Sequence, residues 1–307
     1  MGLVALKRES DEASERSGKP GAGHGVVRDA KEMSRVRLDV LLFERGFTES
    51  REKAKAVVMS GNVFVDGVRS DKPGALIKPE SAIEIRGEKS YVSRGGQKLE
   101  KALSCFGVKP EGKICIDCGA STGGFTDCLL RNGAQVVYAV DVGYGQLAWN
   151  IRNDPRVVTM ERTNIRFLTP DMLPQQPELA VIDVSFISLA LVLPAVKKIL
   201  AGNGEALCLI KPQFEAGREK VGKKGVVRDA VTHIEVLNAF IANSEHSGFS
   251  VNGLTHSPVK GPEGNIEYLG WLGLRGEVKA IGAGMPVDTG AVVRQSHIEL
   301  REKASDR

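Results

Sequence analysis

The chain has 307 residues, 42% of them hydrophobic and 26% charged, with a formal net charge of +4. That length and balance fit about two globular domains with a sizeable core, and they exclude a collagen-like or disulfide-stapled chain. No apolar run approaches the roughly 20 residues of a membrane helix, and the start MGLVALKRESDEASERSGKPG is too charged for a secretory signal, so a cytoplasmic protein is expected.

Residues 1–33 are rich in Gly, Ser and charge and are expected to be disordered. Residues 34–87 read as a small α+β block. Leu38, Leu41 and Leu42 share one face of a first helix that Gly46 stops. Ser50 can cap a second helix through Ala54, Val57 and Val58 that Gly61 ends. NVFVDG alternates like a strand and turns at Asp66–Gly67, and SAIEIRG is another short strand. Arg35, Arg37, Arg51, Lys53 and Lys55 gather on the helices, with Arg69 and Lys72 in the hairpin. Charge alone favours a solvated face, and a phosphate-binding surface is the alternative.

Residues 88–94 read as a linker. From Lys113 onward strands and helices alternate. Strands are predicted at Lys113–Cys118, Val136–Asp141, Val157–Glu161, Leu179–Val184, Glu205–Ile210, Phe249–Leu254 and Ile266–Leu272. Helices are predicted at Gly124–Asn132, Leu189–Ala201 and Ala230–Ser247. Over residues 95–273 this is the pattern of an α/β fold with a doubly wound, mostly parallel, seven-stranded sheet. Residues 274–307 are Gly-rich and then charged, and read as a flexible tail. The hexapeptide GVVRDA occurs at Gly25–Ala30 and again at Gly225–Ala230, with no longer period around it.

Cys115 and Cys118 form a C-x-x-C inside the apolar run KICIDCGA. No second Cys/His pair stands near to complete a zinc site, so both read as buried thiols. His233, His246 and His256 do not cluster with carboxylates or thiols, and no metal is expected.

ICIDCGASTGGFTDCLL is a strand, a glycine-rich turn and a helix. Gly119, Gly123 and Gly124 allow a sharp turn and close approach to a ligand, and N–H groups at the new helix start can meet its polar groups. The turn is neither a nucleotide-triphosphate loop nor a dinucleotide fingerprint. Asp141, ending the second strand, can accept hydrogen bonds from a ribose, and Asn164 in ERTN could meet an adenine edge. Each could instead be a local cap.

RLDVLLFERGFTESREKAKAVVMSGNVFVDG is similar to the small RNA-binding domain first named for ribosomal small-subunit protein S-four. DCGASTGGFT, DVGYGQLAW, RNDPRV, ERTN, DVSFISL, KPQFE and GPEGNIEY resemble the TlyA, or hemolysin A, family, which joins that domain to an FtsJ-like methyltransferase. Thr122 stands where FtsJ itself commonly has Pro, and agrees with TlyA. The resemblance covers about residues 35–272. It implies a Rossmann-like class I methyltransferase with S-adenosyl-L-methionine as cofactor. It implies cofactor contacts from Asp117, Gly119, Ala120, Ser121, Thr122, Gly123, Gly124, Phe125, Asp141, Val142, Asn164 and Asp183. It also implies RNA contacts from Arg35, Arg37, Arg51, Lys53, Lys55 and Arg69, with ribosomal RNA in ribosomal subunits as partner; the residues themselves give no sign of a membrane or metal partner, and a monomer is expected.

Methyl transfer to a ribose hydroxyl needs the oxygen brought in line with the methyl and its proton eased away, and a lysine can serve as base or stabilising charge. The resemblance carries a Lys–Asp–Lys–Glu set onto Lys98, Asp183, Lys211 and Glu267. Lys211 is the expected central group, because the apolar run ALCLI delivers it directly against Pro212. The other three each have a plain structural alternative as helix, cap or strand residues. The implied activity is 2'-O-methylation of ribosomal RNA, with cytidine as the implied nucleotide. The rivals are a non-catalytic ribosome-assembly factor, a membrane-active hemolysin and a pseudouridine synthase, whose catalytic Asp motif is not visible here.

Overall fold

A computed structural model of the chain describes residues 35–48, 50–85, 91–274 and 287–305. The expectation of disorder over residues 1–33, and the first copy of GVVRDA, lie outside them. The chain divides into two compact units, Met1–Glu88 and Lys89–Arg307.

In the first unit β1 (Val36–Arg37) leads into α1 (Leu38–Glu44), followed by α2 (Arg51–Met59), β2 (Val63–Val65), β3 (Val68–Arg69), β4 (Leu76–Ile77) and β5 (Ile83–Ile85). Ser50 caps α2 by accepting from the Lys53 N–H at 3.2 Å. Asp66 and Gly67 both take positive φ, +50° and +81°, the backbone that a two-residue hairpin turn requires. β2 and β3 pair across that turn, β5 pairs with the other edge of β2, and β4 pairs with β1. Leu38 and Leu42 of α1 meet Ala54 and Val58 of α2 and Val63 of β2 in one buried cluster. The strands β1, β3 and β4 have two residues each, too short for any alternation to announce them.

The second unit opens with α3 (Gly95–Phe106), then β6 (Ile114–Cys118), α4 (Gly124–Arg131), β7 (Val136–Val140), α5 (Trp149–Arg152), β8 (Val157–Met160), β9 (Leu179–Ile182) and α6 (Leu193–Ile199). It continues with β10 (Glu205–Ile210), α7 (Pro212–Glu215), α8 (Ala230–His246), β11 (Phe249–His256), β12 (Tyr268–Leu274) and α9 (Thr289–Ser305). The seven strands lie in the order β11-β12-β10-β9-β6-β7-β8. All neighbouring pairs are parallel except those of β12, which is antiparallel to both β10 and β11. Every residue of LAVI in β9 and EALCLI in β10 is buried, because helices cover both faces of the sheet. β6 has β7 on one side and β9 on the other, so the chain's winding reverses there. A crevice opens at such a switch point, beyond the C-terminal strand ends.

Cys115 and Cys118 are both buried but belong to the cores on opposite faces of the sheet. Positions three apart on a strand point to opposite sides, so the C-x-x-C cannot close on one metal. Burial pushes the Cys115 thiol up to about 12.

Three expectations are corrected. The helix expected over Leu189–Ala201 divides into a 3-10 turn, Leu189–Leu191, and α6. Pro194 has no N–H and fits only the first turn of a helix. The last strand begins at Tyr268, so Glu267 stands just before it. The expected flexible tail contains α9, which buries Val293, Ser296 and Leu300. Its sparse apolar positions hid an amphipathic helix behind a charged composition.

Candidate active site

The turn after β6 is shaped by close approach. Gly119 has φ +91°, and a Cβ on it would stand 2.5 Å from the Asp183 carbonyl oxygen, so β6 and β9 can come together only around glycine. A Cβ on Gly124 would stand 2.1 Å from Ser93 Oγ, and one on Gly123 would press on Leu147 and Ile151. Ser121 holds the left-handed region at φ +48° without being glycine. Its N–H donates to Asp141 Oδ2 at 2.8 Å, while Asp141 Oδ1 accepts from the Gly143 N–H at 2.6 Å. Asp141 therefore ties the glycine-rich turn to the end of β7.

A cavity of about 540 Å³ lies along this turn, walled by Gly119, Ser121, Asp141, Val142, Asn164 and Asp183. That volume is in the range of small-molecule sites. A second cavity of about 260 Å³ adjoins it and shares Gly119, Ser121 and Asp183. Lys98, Asp183, Lys211 and Glu267, scattered over 170 residues of sequence, all line this second cavity. Ala120, Thr122, Gly124 and Phe125 line it as well.

Each lysine has its own carboxylate. Lys98 Nζ lies 2.6 Å from Glu267 Oε2, with both side chains almost fully buried. Lys211 Nζ lies 2.6 Å from Asp183 Oδ1 and donates to Ser185 Oγ at 2.9 Å. β9 and β10 are parallel neighbours, so their C-terminal ends deliver Asp183 and Lys211 side by side. β12 runs the other way, and its first residue follows Glu267 at the same end of the sheet. Lys98 arrives on the first turn of α3.

Asp117 and Gly123 line neither cavity. Asp117 is fully buried behind the turn, and its Oδ2 accepts from Thr126 Oγ1 at 2.7 Å. Oδ1 has no hydrogen-bond partner among the described residues. Burial, with Asp183 and Asp141 adding to it and the Thr126 bond opposing it, raises this carboxyl to about 7. Asn164 lines the larger cavity, and its Oδ1 also caps the 3-10 turn Ile165–Phe167.

Several residues at the site carried no expectation. Phe186 is 90% exposed at φ +64° and wedges against Phe214, ring centroids 5.0 Å apart. Glu215 accepts from Ser188 Oγ at 2.6 Å and from the Leu189 N–H at 2.8 Å, joining the turn after Lys211 to the segment after Asp183. Both sit in motifs quoted above, DVSFISL and KPQFE. A non-glycine residue at positive φ leaves no mark in one sequence.

The profile of the family described as FtsJ-like methyltransferase matches residues 91–274, and that of the S4 domain matches residues 36–83. The chain belongs to the FtsJ-like methyltransferase family. It is 44% identical over 240 residues to the 16S/23S rRNA (cytidine-2'-O)-methyltransferase TlyA of Mycobacterium tuberculosis, covering 78% of this chain and 90% of that protein. It is 46% identical to Hemolysin A of Brachyspira hyodysenteriae, covering 76% of this chain and 98% of that one. A solved structure of a Streptococcus thermophilus protein provisionally described as a hemolysin is similar at 47% identity and TM-score 0.66, covering 89% of this chain and 99% of that one.

As an FtsJ-like methyltransferase the chain uses S-adenosylmethionine, and its residues fit that group. Gly119 allows the close approach of the Asp183 carbonyl at the edge of the larger cavity, and the carboxylates Asp141 and Asp183 follow the ends of β7 and β9, the two strands that flank β6. In the S4 unit, Arg35, Arg37, Arg51, Lys53 and Arg69 are exposed and Lys55 is half-buried. Arg37 and Arg51 converge on the buried carboxylate of Asp39, at 2.9 and 3.4 Å. Among the described residues no helix is long and apolar enough to cross a membrane.

Proposed function

We propose that this methyltransferase modifies a ribose 2'-hydroxyl of ribosomal RNA, at a cytidine, and so works in the cytoplasm where ribosomes are, as a monomer. The observation that carries the reading is the Lys211–Asp183 pair: Asp183 borders both cavities, and Lys211 beside it lines the smaller one. The larger cavity holds the methyl donor, with Asp141 and Asn164 toward its ribose and adenine. S-adenosylmethionine, when bound, supplies an activated methyl group. Every other task falls to the chain. Lys211 Nζ lines the smaller cavity and stabilises the negative charge that grows on the acceptor oxygen as its proton passes to solvent water. Asp183 aims Lys211 and borders both cavities, so it fixes the oxygen relative to the donor. Lys98 and Glu267 form the far wall and fix where the acceptor ribose stops.

Phe186, which borders the larger cavity, offers an exposed ring suited to stacking a base turned out of its helix. Arg35, Lys53, Lys55 and Arg69 of the S4 unit contact the RNA backbone, while Arg37 and Arg51 spend part of their charge on Asp39. Relatives named hemolysins suggest a membrane activity, which none of these features explains. An assembly factor without catalysis has no use for two lysine–carboxylate pairs around one cavity.

The test is transfer of labelled methyl from S-adenosylmethionine to purified ribosomal subunits, with the product mapped by mass spectrometry. The expected result is a 2'-O-methylated cytidine. Label on a base, or none on any RNA, would overturn the reading.

A further inference from the structure

Between α7 and α8 the chain makes a strap, residues 216–229, that the reaction above does not use. Residues 218–228 hold five basic side chains, Arg218, Lys220, Lys223, Lys224 and Arg228, against one acidic, Glu219. The tip is a tight turn: the Gly225 N–H donates to the Gly222 carbonyl at 2.8 Å and the Gly222 N–H to the Val226 carbonyl at 3.1 Å. Lys223 and Lys224 are the two residues presented at that tip, and both are exposed.

The base of the strap is clamped. Asn265, 2% exposed, donates from Nδ2 to the Gly225 carbonyl at 2.9 Å and accepts on Oδ1 from the Val227 N–H at 3.1 Å. His233 Nε2 lies 3.0 Å from the Val227 carbonyl, which can only accept, so that nitrogen carries the proton. Asn265 is two residues before Glu267, so the strap is fastened to the segment that forms one wall of the acceptor cavity.

Lys223, Lys224 and Arg228 line one cavity of about 340 Å³, together with Lys220 and Asp229. Arg228 also borders a neighbouring cavity with Lys260. The nearby carboxylates are engaged or outnumbered. Lys220 pairs with Glu235, Asp229 caps α8 by accepting from Thr232, and Glu263 lines the neighbouring cavity together with Lys260. Among the described residues Lys223, Lys224 and Arg228 have no ion-pair partner. Like charges held together on one turn make a local positive potential that attracts an anionic partner.

We propose that this strap is an RNA-backbone contact on the methyltransferase unit, receiving phosphates of the substrate strand near the nucleotide being modified. This rests on the RNA-substrate reading. Because the strap is clamped, little ordering is lost on binding, and the contact acts on substrate affinity rather than on the chemical step.

The experiment compares the full chain with K223Q/K224Q, K223Q/K224Q/R228Q and K223R/K224R, using ribosomal subunits as substrate at several KCl concentrations. The triple variant is expected to raise the RNA KM about tenfold near 0.15 M KCl, with kcat and S-adenosylmethionine affinity unchanged. Its plot of log KM against log salt should flatten by roughly 0.7–0.9 per lost contact, and K223R/K224R should behave as wild type. An unchanged KM and slope, or a loss confined to kcat, would overturn the proposal. If the wild type methylates no RNA, the function reading fails separately. Fluorescence anisotropy with a ribosomal RNA fragment then still decides the strap, through equal or unequal affinity of wild type and triple variant.

Discussion

Two lysine–carboxylate pairs of equal length line one cavity, and their surroundings set them apart. Lys98 and Glu267 are sealed, at 9% and 0% side-chain exposure. A Cβ on Gly261 would stand 2.2 Å from Glu267 Oε1, so only glycine lets that carboxylate sit where it does. Lys211 and Asp183 keep 11% and 22% exposure, and Lys211 holds Ser185 as a second partner. A sealed pair is costly to assemble, since both charges give up water. It suits a wall that must not move. A pair that meets solvent can exchange a partner for an incoming hydroxyl. The two lysines are almost equally covered, at 9% and 11%, and the carboxylates differ, at 0% and 22%; on the proposed reading the first pair is a frame and the second acts on the substrate.

The sharpest way to separate them is to remove each lysine. Lys211→Ala should lower the single-turnover transfer rate by about 10²–10⁴-fold, while the Tm and the calorimetric affinity for S-adenosylmethionine stay near wild type. Full activity in that variant would remove Lys211 from the reaction.

The sealed pair should fail differently. Glu267→Gln leaves the Lys98 charge buried without its counter-ion, and should cost about 3–5 kcal/mol of stability. In a unit of this size that is a Tm fall on the order of 10 °C. The double variant K98M/E267L removes both charges, and should regain most of the stability without regaining activity. A Glu267→Gln chain that melts like wild type would mean the pair is not a frame.

How much of this could be read from sequence also follows the contrast. The glycine-rich turn was legible because three glycines fall between a strand pattern and a helix pattern, although the atoms that require Gly119 and Gly124 to be glycine, the Asp183 carbonyl and Ser93 Oγ, lie far away in the chain. Asp183 and Lys211 were legible because each ends a strand, and strand ends in a doubly wound sheet converge. The Lys98–Glu267 contact joins residues 169 positions apart and was not foreseen; family resemblance placed both residues in one set without pairing them. Asp117 was assigned to the cofactor and lines neither cavity, because it lies within β6, a central strand buried on both faces, two residues before the turn. The C-terminal helix was missed because its stability comes from packing on α8 and β11, which no local signal encodes.

A smaller effect is expected at Phe186, which borders the larger cavity together with Asp183. Phe186→Ala should raise the RNA KM by roughly 5–150-fold, the worth of about 1–3 kcal/mol for one stacked base. Phe186→Trp should keep most of the affinity. If both variants bind and methylate ribosomal subunits like wild type, the exposed ring is not a stacking platform and the base is held elsewhere.

The smallest effect tests a third carboxylate, sealed like Glu267 but without a lysine. Asp117 has an ordinary value of 3.8, and burial raises it to about 7 in the fold. Between about pH 4 and 7 the folded chain therefore holds a proton that the unfolded chain has released. Stability linked to this group is fully present below pH 4, declines as pH rises through that window, and is level above 7. Asp117→Asn cannot titrate and can still accept from Thr126. The difference in Tm between wild type and this variant, followed from pH 4 to 8 on the full chain, should fall by a few degrees across the window and then stay flat. A difference that does not vary with pH would show that Asp117 is ionised throughout. A buried charge behind the turn would then need a partner, and the orphaned Oδ1 would be the place to look for it.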